Sequence, residues 1–306
     1  MPNLQNQRIV VTGATGLVGS RLCTALEQAS ATPIRAVRRP VKDEARELFW
    51  NPNRGEIDRA KLEGVDAVVH LAGENISGGR WTEAFKQKIL DSRVKGTHLI
   101  SDALARLERK PRQFICASAI GYYGNRRDEV MTEQSPPDDD FLANVCRQWE
   151  ANCQAARDAG IPVTNIRIGV VLSTEGGALQ KMLTPFKLGA GGKIGDGRQY
   201  MSWIAIDDLV AVIVHLLARD EPVAGPVNVV APHPVTNAEF TKTLGHVLHR
   251  PTIFPMPAFA ARLAFGEMAD ALLLSSTRVA PNALEASGYK FQYPELEPTL
   301  RHLLNK

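Results

Sequence analysis

The chain is poor in the features that mark specialised environments. Its 306 residues include four cysteines, Cys23, Cys116, Cys146 and Cys153, and no two form a C-x-x-C pair. That spacing indicates neither a zinc site nor a disulfide framework, and reduced thiols in a cytoplasmic protein are the expectation. No apolar run approaches the ~20 residues that span a bilayer. The polar stretch Met1–Gln7 has no apolar core of a secretory signal. No membrane partner is therefore expected. Charge of one sign is also lacking: 36 basic and 33 acidic residues leave +3, too balanced for a nucleic-acid binder. With 44% apolar residues, the chain has enough material for a sizeable core.

What is present is alternation. Short apolar runs at Arg8–Thr12, Pro33–Val37, Ala67–Leu71, Gln113–Ala117 and Val163–Ile168 read as strands. Helical stretches Leu17–Ala29, Thr82–Leu107 and Phe141–Ala159 lie between them. This is the pattern of βαβ units, and it predicts an α/β fold with a Rossmann-like, doubly wound parallel sheet. Gly176–Gly197 is glycine-rich and lacks regular periodicity. Helices are predicted at Asp207–Ala218, Asn237–Leu248, Pro257–Leu274 and Thr277–Ala286, with a short strand at Val227–Val230. A boundary near Gly225 would separate a nucleotide-binding domain (1–225) from a small, mainly helical lobe (226–306) on the substrate side.

The first strand runs into Gly13-Ala14-Thr15-Gly16-Leu17-Val18-Gly19, a G-x-x-G-x-x-G turn at a strand-to-helix junction. Gly13 would permit the tight turn, Gly16 the approach of a pyrophosphate, and Gly19 close packing of helix on sheet. The helix N-terminus adds free N–H groups and a positive dipole end. No carboxylate occurs between Glu27 and Asp43, and the second strand ends Val37-Arg38-Arg39. A carboxylate there would repel a 2′-phosphate, whereas a guanidinium pairs with it. The expected cofactor is therefore NADP(H). Small residues after the third strand, Leu71-Ala72-Gly73-Glu74, would let backbone pass beside it. Lys88, Ser92 and Arg93 form a basic cluster on the following helix, available to phosphate or ribose. His70 reads as a polar residue packed at a strand end.

Together, Gly13–Gly19, Leu71–Asn75, Ser118–Gly124, Ser92–Thr97, Trp149-Glu150 and Arg167–Leu172 resemble an atypical, extended short-chain dehydrogenase/reductase. The run through Ser202-Trp203-Ile204, then Gly266–Ala269 and Gly288-Tyr289, extends the likeness over nearly the whole chain. It is most similar to the YfcH-like epimerase family, which is related to SulA-like plastid division proteins. The resemblance implies an NADP-binding Rossmann-like domain and an arginine, Arg93, near the cofactor. It names no substrate.

Such reductases use a tyrosine acid activated by a lysine four residues on, with a serine aligning the substrate oxygen. Ser118-Ala119-Ile120-Gly121-Tyr122-Tyr123-Gly124 matches the serine and the turn. The helix pair does not match, because Leu142 and Cys146 stand where tyrosine and lysine should be. Ser118, Tyr122 and Tyr123 are thus the candidate catalytic residues, with Arg167 or Lys187 as the activating cation. Arg167 is also a candidate cofactor contact. Cys146 reads as a buried helix cysteine. Gly189–Gly197 reads as a mobile lid or cleft wall, and Asp207-Asp208 as an N-cap pair. Two functions fit: an NADP(H)-dependent reductase or epimerase on a small molecule, or a non-catalytic NADP(H)-binding regulator, with cell division suggested by the resemblance.

Overall fold

The computed structural model describes residues 4–306. Eight strands form the main sheet: β1 (Arg8–Thr12), β2 (Thr32–Val37), β3 (Glu47–Asn51), β4 (Glu56–Ile57), β5 (Ala67–His70), β6 (Gln113–Ala119), β7 (Val163–Ile168) and β8 (Gly225–Val229). Their order is β8-β7-β6-β5-β1-β2-β3-β4. All neighbours are parallel except β4, which runs antiparallel to β3. Ile9, Val10 and Val11 are fully buried, as are Ala67, Val68 and Val69. A strand covered on both faces needs continuous apolar character, and these runs supply it. Helices α1 (Leu17–Gln28) and α6 (Ile206–Ala218) pack together on one face. Helices α2 (Glu83–Ala105), α3 (Phe141–Ala151) and α4 (Gln154–Asp158) pack against one another on the other.

The order of strands reverses between β1 and β5, which is where open α/β sheets place their ligand crevice. A polar tie holds the two strand ends. Thr12 Oγ1 accepts from the N–H groups of Leu71 and Ala72, both at 3.2 Å. It also meets His70 Nδ1 at 2.7 Å. The hydroxyl's own proton is left for Nδ1, so the neutral ring carries its hydrogen on Nε2, edge-on to Trp50 at 5.7 Å. His70 is thus a packed strand-end residue.

Several element boundaries differ from expectation for local reasons. The helix expected over Phe141–Ala159 is two helices that meet at Asn152 and Cys153, where Gln148 O accepts from both the backbone N–H (3.1 Å) and the side-chain Nδ2 (2.7 Å) of Asn152. The helix expected over Pro257–Leu274 stops at Gly266 (φ +62°), leaving α8 at Ala258–Phe265. Thr277–Ala286 holds the short strand Arg278–Val279, then Pro281, then α9 (Asn282–Ala286). Helix α5 (Gly177–Lys187) has Gly176 and Gly177 at its start and Pro185 inside, which concealed it from a periodicity reading.

A second apolar cluster joins Leu179, Leu183 and Phe186 of α5 to Trp203. It also takes in Phe240 and Leu244 of α7 (Asn237–Leu248) and Leu300 of α10 (Leu296–Leu304). The smaller lobe thus draws on residues before 225, while Gly225–Val229 pairs with β7 inside the main sheet. A line at 225/226 coincides with neither core. Asp207 and Asp208 are not N-caps, since that position belongs to Ala205. Asp208 is buried and accepts from Tyr289 Oη (2.7 Å) and from the N–H groups of Gln292 (2.9 Å) and Tyr293 (2.8 Å). The Gly189–Gly197 run is pinned rather than free: a Cβ on Gly192 would lie 1.9 Å from Phe254 O. Among the described residues, no helix is long and apolar enough to cross a membrane.

Burial lowers the His70 value from 6.5 to about 3. The unfolded chain then binds the proton that the folded chain refuses. Stability should be full above pH 6.5 and should fall as pH drops toward 3, with a slope of up to about 1.4 kcal/mol per pH unit. Urea melts of the parent and of His70→Gln over this range test it, and an unchanged slope in the variant would remove His70 as the cause.

Candidate functional site

The turn after β1 enters α1 with Gly13 at φ +68° and Gly16 N–H donating to Gly13 O (2.9 Å). The three glycines serve different ends. A Cβ on Gly19 would sit 2.2 Å from Gly13 O, and one on Gly13 would meet Leu71 and Ala72 backbone at 3.0 Å. Both positions are required by the fold. Gly16 has φ −79°, and a Cβ there would meet one neighbour, Gly13 O, at 3.3 Å. Its side faces open space, a cradle that a side chain would fill. Thr15 is exposed beside it, while Leu17 and Val18 are half-buried.

At the end of β2, Val37 is buried and the two arginines separate. Arg39 is engaged by Glu47, through Nη1 (2.9 Å) and Nη2 (2.5 Å). The guanidinium, with backbone N–H groups of Lys42 and Asp43, holds the Glu47 carboxyl down at about 2. Arg38 is exposed and has no hydrogen bond or ion pair among the described residues. Of the pair, it is the guanidinium left for a ligand.

The basic cluster on α2 is spent on the chain itself. Ser92 Oγ accepts from Glu74 N–H (2.9 Å), and Arg93 Nη2 donates to Glu74 O (3.0 Å). Lys88 pairs with the Glu74 carboxylate at 3.1 Å. The Arg93 guanidinium lies 4.9 Å over the Trp149 ring, and burial lowers its value. These contacts fix the course of Leu71-Ala72-Gly73-Glu74. Helix α5 bridges the two banks of the crevice. Glu175, just ahead of it, binds Arg21 of α1 (2.6 Å), and Lys181 Nζ donates to Ser77 Oγ (2.8 Å) beyond β5.

The centre of the site is a buried network. Ser118 Oγ donates to Glu150 Oε1 at 2.7 Å. Arg167 grips the same carboxylate through Nε and Nη2, both at 2.8 Å. Its guanidinium lies 3.5 Å over the Tyr122 ring and donates from Nη1 to Tyr123 Oη (3.0 Å). Tyr123 is fully buried, donates to Asn228 Oδ1 (2.6 Å), and is pushed up to about 12 by burial. Its hydroxyl proton is committed to Asn228 within the core. Tyr122 is half-buried, and its hydroxyl has no partner among the described residues. Arg167, expected at the cofactor, is buried in the network instead, because its charge is matched by Glu150. Lys187 is exposed at the far end of α5. Sequence reading missed Glu150, Glu133 and Asn228 as network members. Glu133 is buried, and its Oε1 accepts from Asn228 and Ala283 N–H.

The sequence model of the NAD dependent epimerase/dehydratase family matches residues 9–231. The chain belongs to this family. A second model, of a domain of unknown function, matches residues 256–303. Epimerase family protein Mb2239 of Mycobacterium bovis is 44% identical over 291 residues, covering 95% of each chain. The crystal structure of human epimerase family protein SDR39U1 with NADPH superposes with a TM-score of 0.89 at 34% identity, covering 98% of this chain and 99% of that one. A nucleoside-diphosphate sugar epimerase from Corynebacterium glutamicum gives 0.81 at 36% identity, covering 98% of this chain and 58% of that one.

Against the tyrosine–lysine pair of short-chain reductases, this family member presents two apolar positions on α3. A Cβ on Gly121 would lie 3.2 Å from Leu142 Cβ, so Leu142 packs against the Ser118–Gly124 turn. Cys146 is buried with its thiol toward Ala119 O (3.6 Å), and burial pushes it up to about 12. Neither supplies a proton.

Removing Glu150 should strand a buried guanidinium. Glu150→Ala should lose about 3–5 kcal/mol in urea denaturation, whereas Glu150→Leu combined with Arg167→Met should lose far less than the sum of its single variants. Additive losses would show that the two side chains act independently.

Proposed function

We propose that this chain is an NADP(H)-dependent enzyme of the reductase or epimerase type acting on a small molecule. The observation that carries the reading is Arg38, unpaired at the end of β2 while Arg39 beside it is held by Glu47. The open face of Gly16 supports it, as does the NADPH in the human relative. The residues present fit the cofactor. Gly13, Thr15, Gly16, Leu17, Val18 and Gly19, with the α1 N-terminus, would hold the pyrophosphate. Val37 and Arg38, backed by Arg39, would hold the 2′-phosphate end. Leu71, Ala72, Gly73 and Glu74 would line its path, with Lys88 and Arg93 setting their course. The nicotinamide would supply or accept a hydride.

Ser118 and Tyr122 divide the remaining work. The single proton of Ser118 is committed to the Glu150 carboxylate, so this hydroxyl offers lone pairs to a ligand. Tyr122 holds the free phenol, and its ring is fixed under Arg167. Tyr122 is the proton donor in this reading, and Ser118 orients the substrate. A second reading, a non-catalytic NADP(H)-binding regulator, is favoured by Leu142 and Cys146 in place of tyrosine and lysine.

Fluorescence titration should show NADPH bound more tightly than NADH. Arg38→Ala should remove about 10- to 100-fold of that preference, since a charge-assisted bond contributes roughly 1.5–3 kcal/mol. Gly16→Val should abolish binding in a folded protein. Equal affinity of the parent for both cofactors would overturn the assignment of Arg38. With a substrate in hand, Ser118→Ala and Tyr122→Phe should each slow turnover by about 10²–10⁴-fold at unchanged NADPH affinity. Tight NADPH binding without turnover across aldehydes, ketones and nucleotide sugars would favour the regulator.

A further inference from the structure

The smaller lobe carries an apolar surface that neither the cofactor crevice nor the buried network uses. The stretch Pro251–Phe265 reads PTIFPMPAFAARLAF, with one charged residue, Arg262, and no acid. Such composition belongs in a core, yet here it faces outward. Ile253, Phe254, Phe259 and Leu263 are between 60% and 81% exposed, and Leu188 on the neighbouring turn is 79% exposed. Single exposed apolar residues are ordinary, whereas a group of them on one segment marks a contact surface.

The segment is held in this attitude by its backbone. Met256 N–H donates to Lys193 O and Gly195 N–H to Met256 O, both at 2.9 Å. A Cβ on Gly192 would collide with Phe254 O. Arg250 Nε donates to Lys187 O (2.9 Å) and closes the turn at its base. The main chain therefore occupies the inner space, and the side chains of Ile253 and Phe254 cannot fold in behind it. The glycines of the Gly189–Gly197 run are what allow the two segments to lie so close.

Unmatched charge around this surface is mainly positive. Lys187 has no side-chain partner among the described residues, and Arg250 bonds only to carbonyl oxygens. The acids that follow the segment are already matched, Asp270 by Arg262 (2.9 Å) and Glu267 by Lys86 (3.1 Å). Asp196 is an exposed acid here; its carboxylate accepts from the Arg198 backbone N–H (2.9 Å), and the Lys193 side chain reaches its main-chain carbonyl instead. An apolar surface with a cationic rim complements a layer that is anionic outside and apolar beneath.

We propose that residues 250–265, with the turn at Lys187-Leu188, dock this chain onto a bilayer surface carrying anionic lipid. Phe254, Phe259, Leu263 and Leu188 enter the headgroup boundary, and Lys187 and Arg250 meet the lipid phosphates. No spanning helix is required for such peripheral attachment. The proposal is independent of turnover and of the cofactor.

Co-sedimentation of the full chain with vesicles tests it. Vesicles of phosphatidylcholine with phosphatidylglycerol should carry the protein down at low salt, and phosphatidylcholine alone should carry much less. Phe259→Ser with Leu263→Ser should lower vesicle binding by about tenfold or more, and Lys187→Glu with Arg250→Glu should do the same. NADPH affinity should match the parent in both, which shows that they are folded. Absence of binding to phosphatidylglycerol vesicles, or parent-like binding by the serine variant, overturns the proposal. A dimer in sedimentation velocity without lipid that the serine variant breaks also overturns it, because a second copy would then cover the face.

Discussion

The bidentate contact between Arg167 and Glu150 organises the interior of the site. Two buried charges are tolerable only when each satisfies the other and the remaining donors find acceptors. Glu150 has a second partner in Ser118, and Arg167 Nη1 reaches Tyr123 Oη and Glu133 O. One ion pair thus joins α3, β6, β7 and the turn after β6. Through Tyr123 and Asn228 it reaches β8, and through Glu133 it reaches the start of α9. The strand end that carries Ser118, the ring of Tyr122 and the edge of the smaller lobe are all set by how this pair lies.

The layered architecture was legible because buried parallel strands must be apolar throughout. Arg8–Thr12 and Val163–Ile168 agree residue for residue with β1 and β7. The glycine turn was legible because its fold-imposed glycines and its open glycine fall at fixed offsets. Less legible were elements whose local signals conflict. Helix α5 contains a proline and begins with two glycines, and its stability comes from Leu179, Leu183 and Phe186 against Trp203. That contact spans regions distant in sequence and leaves little periodic trace.

The same limit applies to charged residues. Arg38 and Arg39 are equivalent in a string of letters, and they differ because β3 brings Glu47 to one of them. Lys88 and Arg93 read as a cluster facing a ligand, and in the fold they hold the loop at Glu74. Arg167 reads as a strand-end cation near the cofactor, and in the fold it is buried against a carboxylate from α3. In each instance the partner comes from a different element, so side-chain type alone does not fix the role.

Asp208 has a wider effect than anchoring one segment. From a helix beside the main sheet it captures the chain at Tyr289, Gln292 and Tyr293, just before α10 returns to the smaller lobe. The polypeptide has already crossed between the lobes at Val170–Leu172, which pairs with Trp203–Ala205, and again where Val130–Met131 pairs with Arg278–Val279. Two bodies stitched by several strands of one thread differ from two bodies joined by a single linker. A wide swing about one hinge would have to break backbone pairing at more than one seam. The pairing at these seams resists such a swing, and the two lobes should melt as one cooperative unit.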